Sequence, residues 1–146
     1  AGAALLIWLD RRFRLGHGAE LRSGRDVVLL STGLMTMRAL DAARRLEADH
    51  VDVSVVHLPT VKPLDEELVR SVAGGDRLVM TLENHSVVGG LFSAVATTLV
   101  AAGAGTRVVP VALPDRFLDA GALPTLHDRY GLSTDAVVDR IRAELA

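Results

Sequence analysis

The residues best equipped for chemistry stand together in "TLENHSVVGG", residues 81–90. Glu83, Asn84, His85 and Ser86 supply a carboxylate, an amide, an imidazole and a hydroxyl, and Gly89 and Gly90 follow. A hydroxyl nucleophile activated by a histidine, with an acid orienting the ring, would serve acyl transfer. Ser31, Thr32 and Ser86 are the candidate nucleophiles; His85 and Glu83 are the candidate base and orienting acid. The spacing argues against that use. Glu83 and His85 lie two apart around a turn, nothing sets a serine on the imidazole, and no G-x-S-x-G elbow is present. The structural reading is favoured: Glu83 and Asn84 satisfy loop amides, and His85 hydrogen-bonds in a partly buried position.

Other chemistry finds less support. Gly89-Gly90 could open a helix N-terminus to an anion. The lysine of a phosphate loop does not follow them, so close packing or a positive φ is the plainer reading. "GAG" at 103–105 and "GHG" at 16–18 are not dinucleotide fingerprints. Histidines 17, 50, 57, 85 and 127 show neither HxH nor HExxH spacing, so no metal is expected. The absence of cysteine removes disulfides, thiolate zinc sites and cysteine catalysis. Lys62, in the loop "PTVKP", is placed to meet a ligand, but a solvated lysine is the simpler reading.

These residues need a scaffold. A chain of 146 residues suffices for one domain with a real core. About half of it is apolar (49%) but only 3% is aromatic, so Val, Leu and Ala must build that core. A net charge of −2 with mixed signs offers no face for nucleic acid. The opening "AGAALLIWLD" is short, has no basic residue ahead of its apolar run and passes straight into Asp10, Arg11 and Arg12, so it reads as neither signal peptide nor membrane span. A cytoplasmic location is expected. Residues 1–20 read as a linker, with "GHGAELRSGRD" its glycine-rich end, and 21–146 as the domain.

Apolar runs at 26–31, 51–58, 77–82 and 106–113 read as strands, and Pro110 marks the last as an edge strand or a strand end. Met35, Ala39, Ala42 and Leu46 share a helical stripe, with Asp41 and Arg45 spaced to pair outside it. Asp65 is the expected cap of the next helix, with Leu64 and Val69 as a hydrophobic staple and Gly74-Gly75 as its end. Residues 91–102 are apolar on nearly every side, which predicts a buried helix. Ser133 caps a terminal helix, with Leu132 and Val137 as a second staple. Alternating strands and helices imply a mostly parallel sheet. Loops 31–33, 59–63 and 83–90 then converge at the carboxyl ends of its strands.

Taken in order, these blocks resemble the C-terminal domain of transketolases. "GRDVVLLSTGLMTMRALDAARRLEADHVDVSVVHLPTVKPLDEELV" is similar to that domain's opening, "LENHSVVGGLFSAV" to its E-[DN]-H-x-x-x-GG block, and "PDRFLDAGALPTLHDRYGLSTDAVVDRI" to its tail. The resemblance covers about residues 21–146. It implies an α/β three-layer sandwich, a mostly parallel sheet of about five strands with helices on both faces. It also implies a structural role: Thr32, Gly33, Lys62, Glu83, Asn84, His85, Gly89, Gly90 and Phe92 become candidate interface or anion-site residues. Phe92 departs from the family, which usually has glycine there; the aromatic needs a displaced helix, another groove or a partner surface.

Complete enzymes of this kind use thiamine diphosphate and magnesium to move a two-carbon ketol unit between sugars, with the cofactor held by two other domains. This chain has no GDG motif; "GGD" at 74–76 reverses it at a helix end. The resemblance therefore implies no cofactor here, no turnover by the isolated chain, and partners that are the cofactor-binding domains or subunits in a homodimer or heterotetramer. The leading reading is the C-terminal domain of a transketolase, cut out or encoded as part of a split enzyme; the docking domain of a 2-oxo-acid dehydrogenase beta subunit and the third domain of 1-deoxyxylulose-5-phosphate synthase are the alternatives within the resemblance. A free-standing enzyme using His85 is the alternative outside it.

Overall fold

The computed structural model describes residues 13–146. Five strands form one sheet: β1 (Ala19–Arg22), β2 (Val27–Ser31), β3 (Val53–His57), β4 (Leu78–Ser86) and β5 (Val108–Leu113), in the order β1-β3-β2-β4-β5. β3, β2, β4 and β5 run parallel, and β1 pairs antiparallel with β3. The helices are α1 (Met35–Leu46), α2 (Glu66–Val72), α3 (Leu91–Ala101), α4 (Leu123–Arg129) and α5 (Thr134–Leu145).

Strand periodicity sorts the core into two layers. Val27, Leu29, Val53, Val55, Met80, Leu82, Val109 and Val111 point to one face and pack with Met35, Ala39, Leu46, Val137 and Ile141 of α1 and α5. Val28, Leu30, Val56 and Val79 point to the other and pack with Val69, Val72, Leu91, Val95 and Leu99 of α2 and α3. Both faces are covered, which is why β2 reads as an unbroken apolar run and is buried throughout.

Local signals act as the sequence predicts at several points. Asp65 accepts the Leu68 N–H at 3.0 Å, and Ser133 accepts the Ala136 N–H at 3.4 Å. Leu132 and Val137 are fully buried together. Pro110 lies in β5, at the edge of the sheet.

Three expectations change. The stretch read as linker carries β1: four residues are too few to show alternation, and the register slips between Glu20 and Arg22. Its glycines serve close approach rather than flexibility; a Cβ on Gly24 would stand 2.2 Å from the Val53 carbonyl carbon. The earlier residues of that stretch, 1–12, lie outside the described residues. Next, α3 is not buried all round. Leu91, Val95, Thr98 and Leu99 face the core, whereas Val100 is 75% exposed. Finally, Asp41 pairs with Arg44 at 2.7 Å, and Arg45 is drawn across to Asp135 at the start of α5. No helix among the described residues is long and apolar enough to cross a membrane.

Candidate functional site

The loops expected to converge do so at the carboxyl edge. The Thr32 N–H donates to the Leu82 carbonyl (3.2 Å), the Leu58 N–H to the Ser31 carbonyl (2.8 Å) and the Val87 N–H to the Leu113 carbonyl (2.9 Å). The chain leaving β2, β3 and β4 is therefore bonded in each case to the neighbouring strand.

Glu83 is the organising residue of "ENHSVVGG". It is 1% exposed, on the β4 face that looks toward α3. Its carboxylate accepts the Leu91 N–H (2.6 Å) and the Phe92 N–H (2.8 Å). A negative charge thus sits against the first turn of α3, where unpaired amides and the helix dipole favour it. α3 has no side-chain cap from Gly90, so the strand supplies the cap from eight residues upstream. Gly90 is required by that arrangement, since a Cβ there would lie 2.0 Å from Glu83 Oε2. Gly89 contributes differently: its φ is +79°, and its N–H donates to Ser93 Oγ at 2.9 Å. The anion place at this helix start is filled from within.

The rest of the motif faces outward. Asn84 is exposed, and no side-chain hydrogen bond among the described residues uses it, contrary to the loop-amide role expected of it. His85 is exposed rather than partly buried; its Nδ1–H reaches the Ser86 carbonyl at 3.3 Å. The outward excursion of β4 beyond Leu82, where its register with β5 shifts, carries it off the core. Ser86 Oγ donates to Asp115 (3.1 Å) and accepts the Val88 N–H (3.2 Å), so no imidazole activates it. Thr32 is half-buried, Gly33 has φ +55° and is exposed, Lys62 is exposed, and Phe92 is half-buried. The aromatic at 92 leaves its own N–H in the Glu83 cap, so the helix start tolerates it.

Two polar contacts escaped the sequence reading. Ser31 Oγ, fully buried, contacts Thr36 Oγ1 (3.0 Å) and the Val56 carbonyl (3.1 Å), and Thr36 Oγ1 meets His57 Nδ1 at 2.7 Å. Burial pushes the His57 imidazole below its ordinary value. Ser31 and His57 stand side by side in the β2–β3 register, so aligning "VVLLS" with "VSVVH" would have found them. The second contact joins Arg38 of α1 to His127 of α4, at 2.9 Å. No sequence signal links those two.

Carboxylates along this edge are committed: Glu83 to α3, Asp65 to α2, Asp115 to Ser86. Among the described residues no group of three or more potential ligands could hold a metal ion. The donor set does not fit a metal–diphosphate group. A groove of about 540 Å³ flanks β5, lined by Pro110, Ala112, Tyr130, Gly131, Asp139 and Arg140 among others, and no candidate site residue lines it.

The domain is a mostly parallel α/β sandwich whose edge carboxylates are engaged within the chain. Its residues 16–137 match the family described as "Transketolase, C-terminal domain", and the chain belongs to that family. It is 50% identical over 133 residues to the transketolase family protein y4mN of Sinorhizobium fredii, covering 90% of this chain and 39% of that one. It is 40% identical over 144 residues to 1-deoxy-D-xylulose-5-phosphate synthase of Thioalkalivibrio sulfidiphilus, covering 99% of this chain and 22% of that one. Among solved structures it is similar to a split gene transketolase, an inactive beta4 tetramer, with TM-score 0.79, 38% identity, and coverage of 90% of this chain and 42% of that one. A Pichia stipitis transketolase at 22% identity and TM-score 0.67 shares the fold. The chain therefore spans less than half the length of these relatives.

Proposed function

We infer that the chain works as the third domain of a transketolase-type transferase, where it packs against cofactor-bearing domains or subunits and does no chemistry itself. The observation that carries this reading is the likeness to the split gene transketolase chain, together with an edge whose acids are internally spent. Thiamine diphosphate and magnesium belong to the other domains, and the isolated chain is inactive. Thr32, Gly33, Lys62, Asn84, His85, Gly89 and Phe92 are the contact residues of the carboxyl edge: Gly33, Lys62, Asn84, His85 and Gly89 are exposed, and Thr32 and Phe92 are half-buried. Glu83 and Gly90 support them from beneath. Leu34 (41% exposed), Val88 (60%) and Phe117 (105%), which follow β2, β4 and β5, add apolar area at the same edge. The assembly is cytoplasmic, and homodimeric or heterotetrameric.

The test is reconstitution. The chain is mixed with the remaining domains of its enzyme, and ketol transfer between sugars and oligomeric state are measured. Activity and assembly are expected to require the chain. Full activity in a dimer without it overturns the reading.

The Thioalkalivibrio relative favours a second reading, the third domain of a 1-deoxyxylulose-5-phosphate synthase. Formation of that product in place of ketol transfer by the same reconstituted assembly selects it.

A further inference from the structure

Among the described residues, a part-buried polar contact joins helix α4 to α1. His127 is 2% exposed, and its Nδ1 lies 2.9 Å from a terminal nitrogen of Arg38. A guanidinium has donors only and keeps its charge throughout the accessible pH range. Nδ1 must therefore be the acceptor, which leaves His127 neutral with its proton on Nε2. Among the described residues no carboxylate pairs with Arg38. Its Nε is buried and finds no hydrogen-bond partner among the described residues either.

The other charges around the contact are engaged or minor. On α1, Asp41 is held by Arg44, and Arg45 by Asp135 at the start of α5. On α4, Arg129 turns away to Asp119, and Asp128 stands beside the ring. The α5 side presents a backbone group, the Leu132 N–H, which donates to the His127 carbonyl at 2.7 Å. Burial is the largest influence on the imidazole and lowers its pKa. The Arg38 charge lowers it further, and Asp128 opposes both.

We propose that the Arg38–His127 contact is a pH-gated latch: proton uptake at His127 Nδ1 turns the acceptor into a donor, sets two cations face to face, and releases α4 with the 114–122 loop from α1. The segment that would be freed starts at the carboxyl end of β5 and is braced internally. Arg129 donates to Asp119 at 2.7 Å, and the Tyr130 hydroxyl bonds the same carboxylate at 3.3 Å. It can therefore move as a unit, carrying the exposed Phe117 with it. The latch stands whether or not the carboxyl edge is an interface, and its test needs no enzymatic activity.

Hydrogen exchange on the full chain tests it, at about pH 7.5 and about pH 5.5, a window that spans the ordinary imidazole range. After correction for intrinsic rates, amides of 114–130 should exchange about tenfold faster at the acid end, as local opening predicts. Those of β2 and β4 should hold. His127→Gln retains a side-chain oxygen for Arg38 and cannot titrate, so it should erase the difference. Equal exchange of 114–130 at both pH values, or a difference that survives H127Q, overturns the latch. If H127Q does not fold, the wild-type chain decides by NMR: the His127 ring and the α4 amides must titrate with one midpoint, and separate midpoints overturn it.

Discussion

The turns after β2 and β4 stand next to each other and each launches a helix, yet they are built differently. The first is short. Gly33 turns the chain at φ +55°, α1 begins without a side-chain cap, and its early amides close tight turns onto the Thr32, Gly33 and Leu34 carbonyls. Its polar anchor is sideways, through Thr36 to Ser31 and His57. The second makes a long excursion, and a buried carboxylate from the strand reaches past it to seize the helix start. The first turn holds by neutral hydrogen bonds within one layer. The second rests on one charge whose removal would orphan two amides. The comparison teaches that a helix start beside a sheet edge needs either tight local closure or an imported anion.

The sharpest test of that difference is Gly90→Ala. It forces a Cβ onto the Glu83 carboxylate and should cost about 3 kcal/mol or more, read by urea denaturation. Glu83→Ala should cost about 2–4 kcal/mol by leaving two amide donors unpaired. The double variant should cost much less than the sum, because the clash vanishes with the carboxylate; additivity would show that Glu83 is not what Gly90 makes room for. At the first turn, Thr36→Val keeps the shape and removes the hydroxyl between Ser31 and His57, at a cost of about 1–3 kcal/mol. A cost as large as that of Glu83→Ala would erase the contrast between the two turns. A pH series follows. His57 and His127 both hold protons less tightly when folded, so the unfolded chain gains protons first as pH falls. Stability should be full above about pH 6.5 and decline below it until the folded imidazoles titrate too. A melting temperature flat from neutral pH down to about pH 5 contradicts this. Smallest is His85→Ala, expected within about 0.5 kcal/mol since the ring is exposed; a large loss would tie that loop to the core.

How legible was all this beforehand? Strands buried on both faces announce themselves as apolar runs, and caps such as Asp65 and Ser133 lie three residues from the amide they serve, so a short window finds them. The Glu83 cap spans a loop, and no local window predicts that residue 83 meets residue 91. β1 was missed because its pairing with β3 is long-range and brief. The helix at 91–101 misleads for a different reason: it is apolar on nearly every side, which predicts burial, while Val100 is in fact exposed. The domain's class and family were readable because they depend on the order of many weak blocks. The outward faces of Asn84 and His85 were not, because exposure depends on how far β4 runs beyond its neighbours.

Pro110 has a consequence beyond marking an edge. A strand that lacks one N–H is a poor template for another, and at the opposite rim β1 is only four residues long with an irregular register. Neither rim invites the sheet to lengthen. A unit whose sheet resists growth can be transplanted among proteins of different size without pairing edge to edge with copies of itself. That suits a module which makes up 39% of one relative and 22% of another.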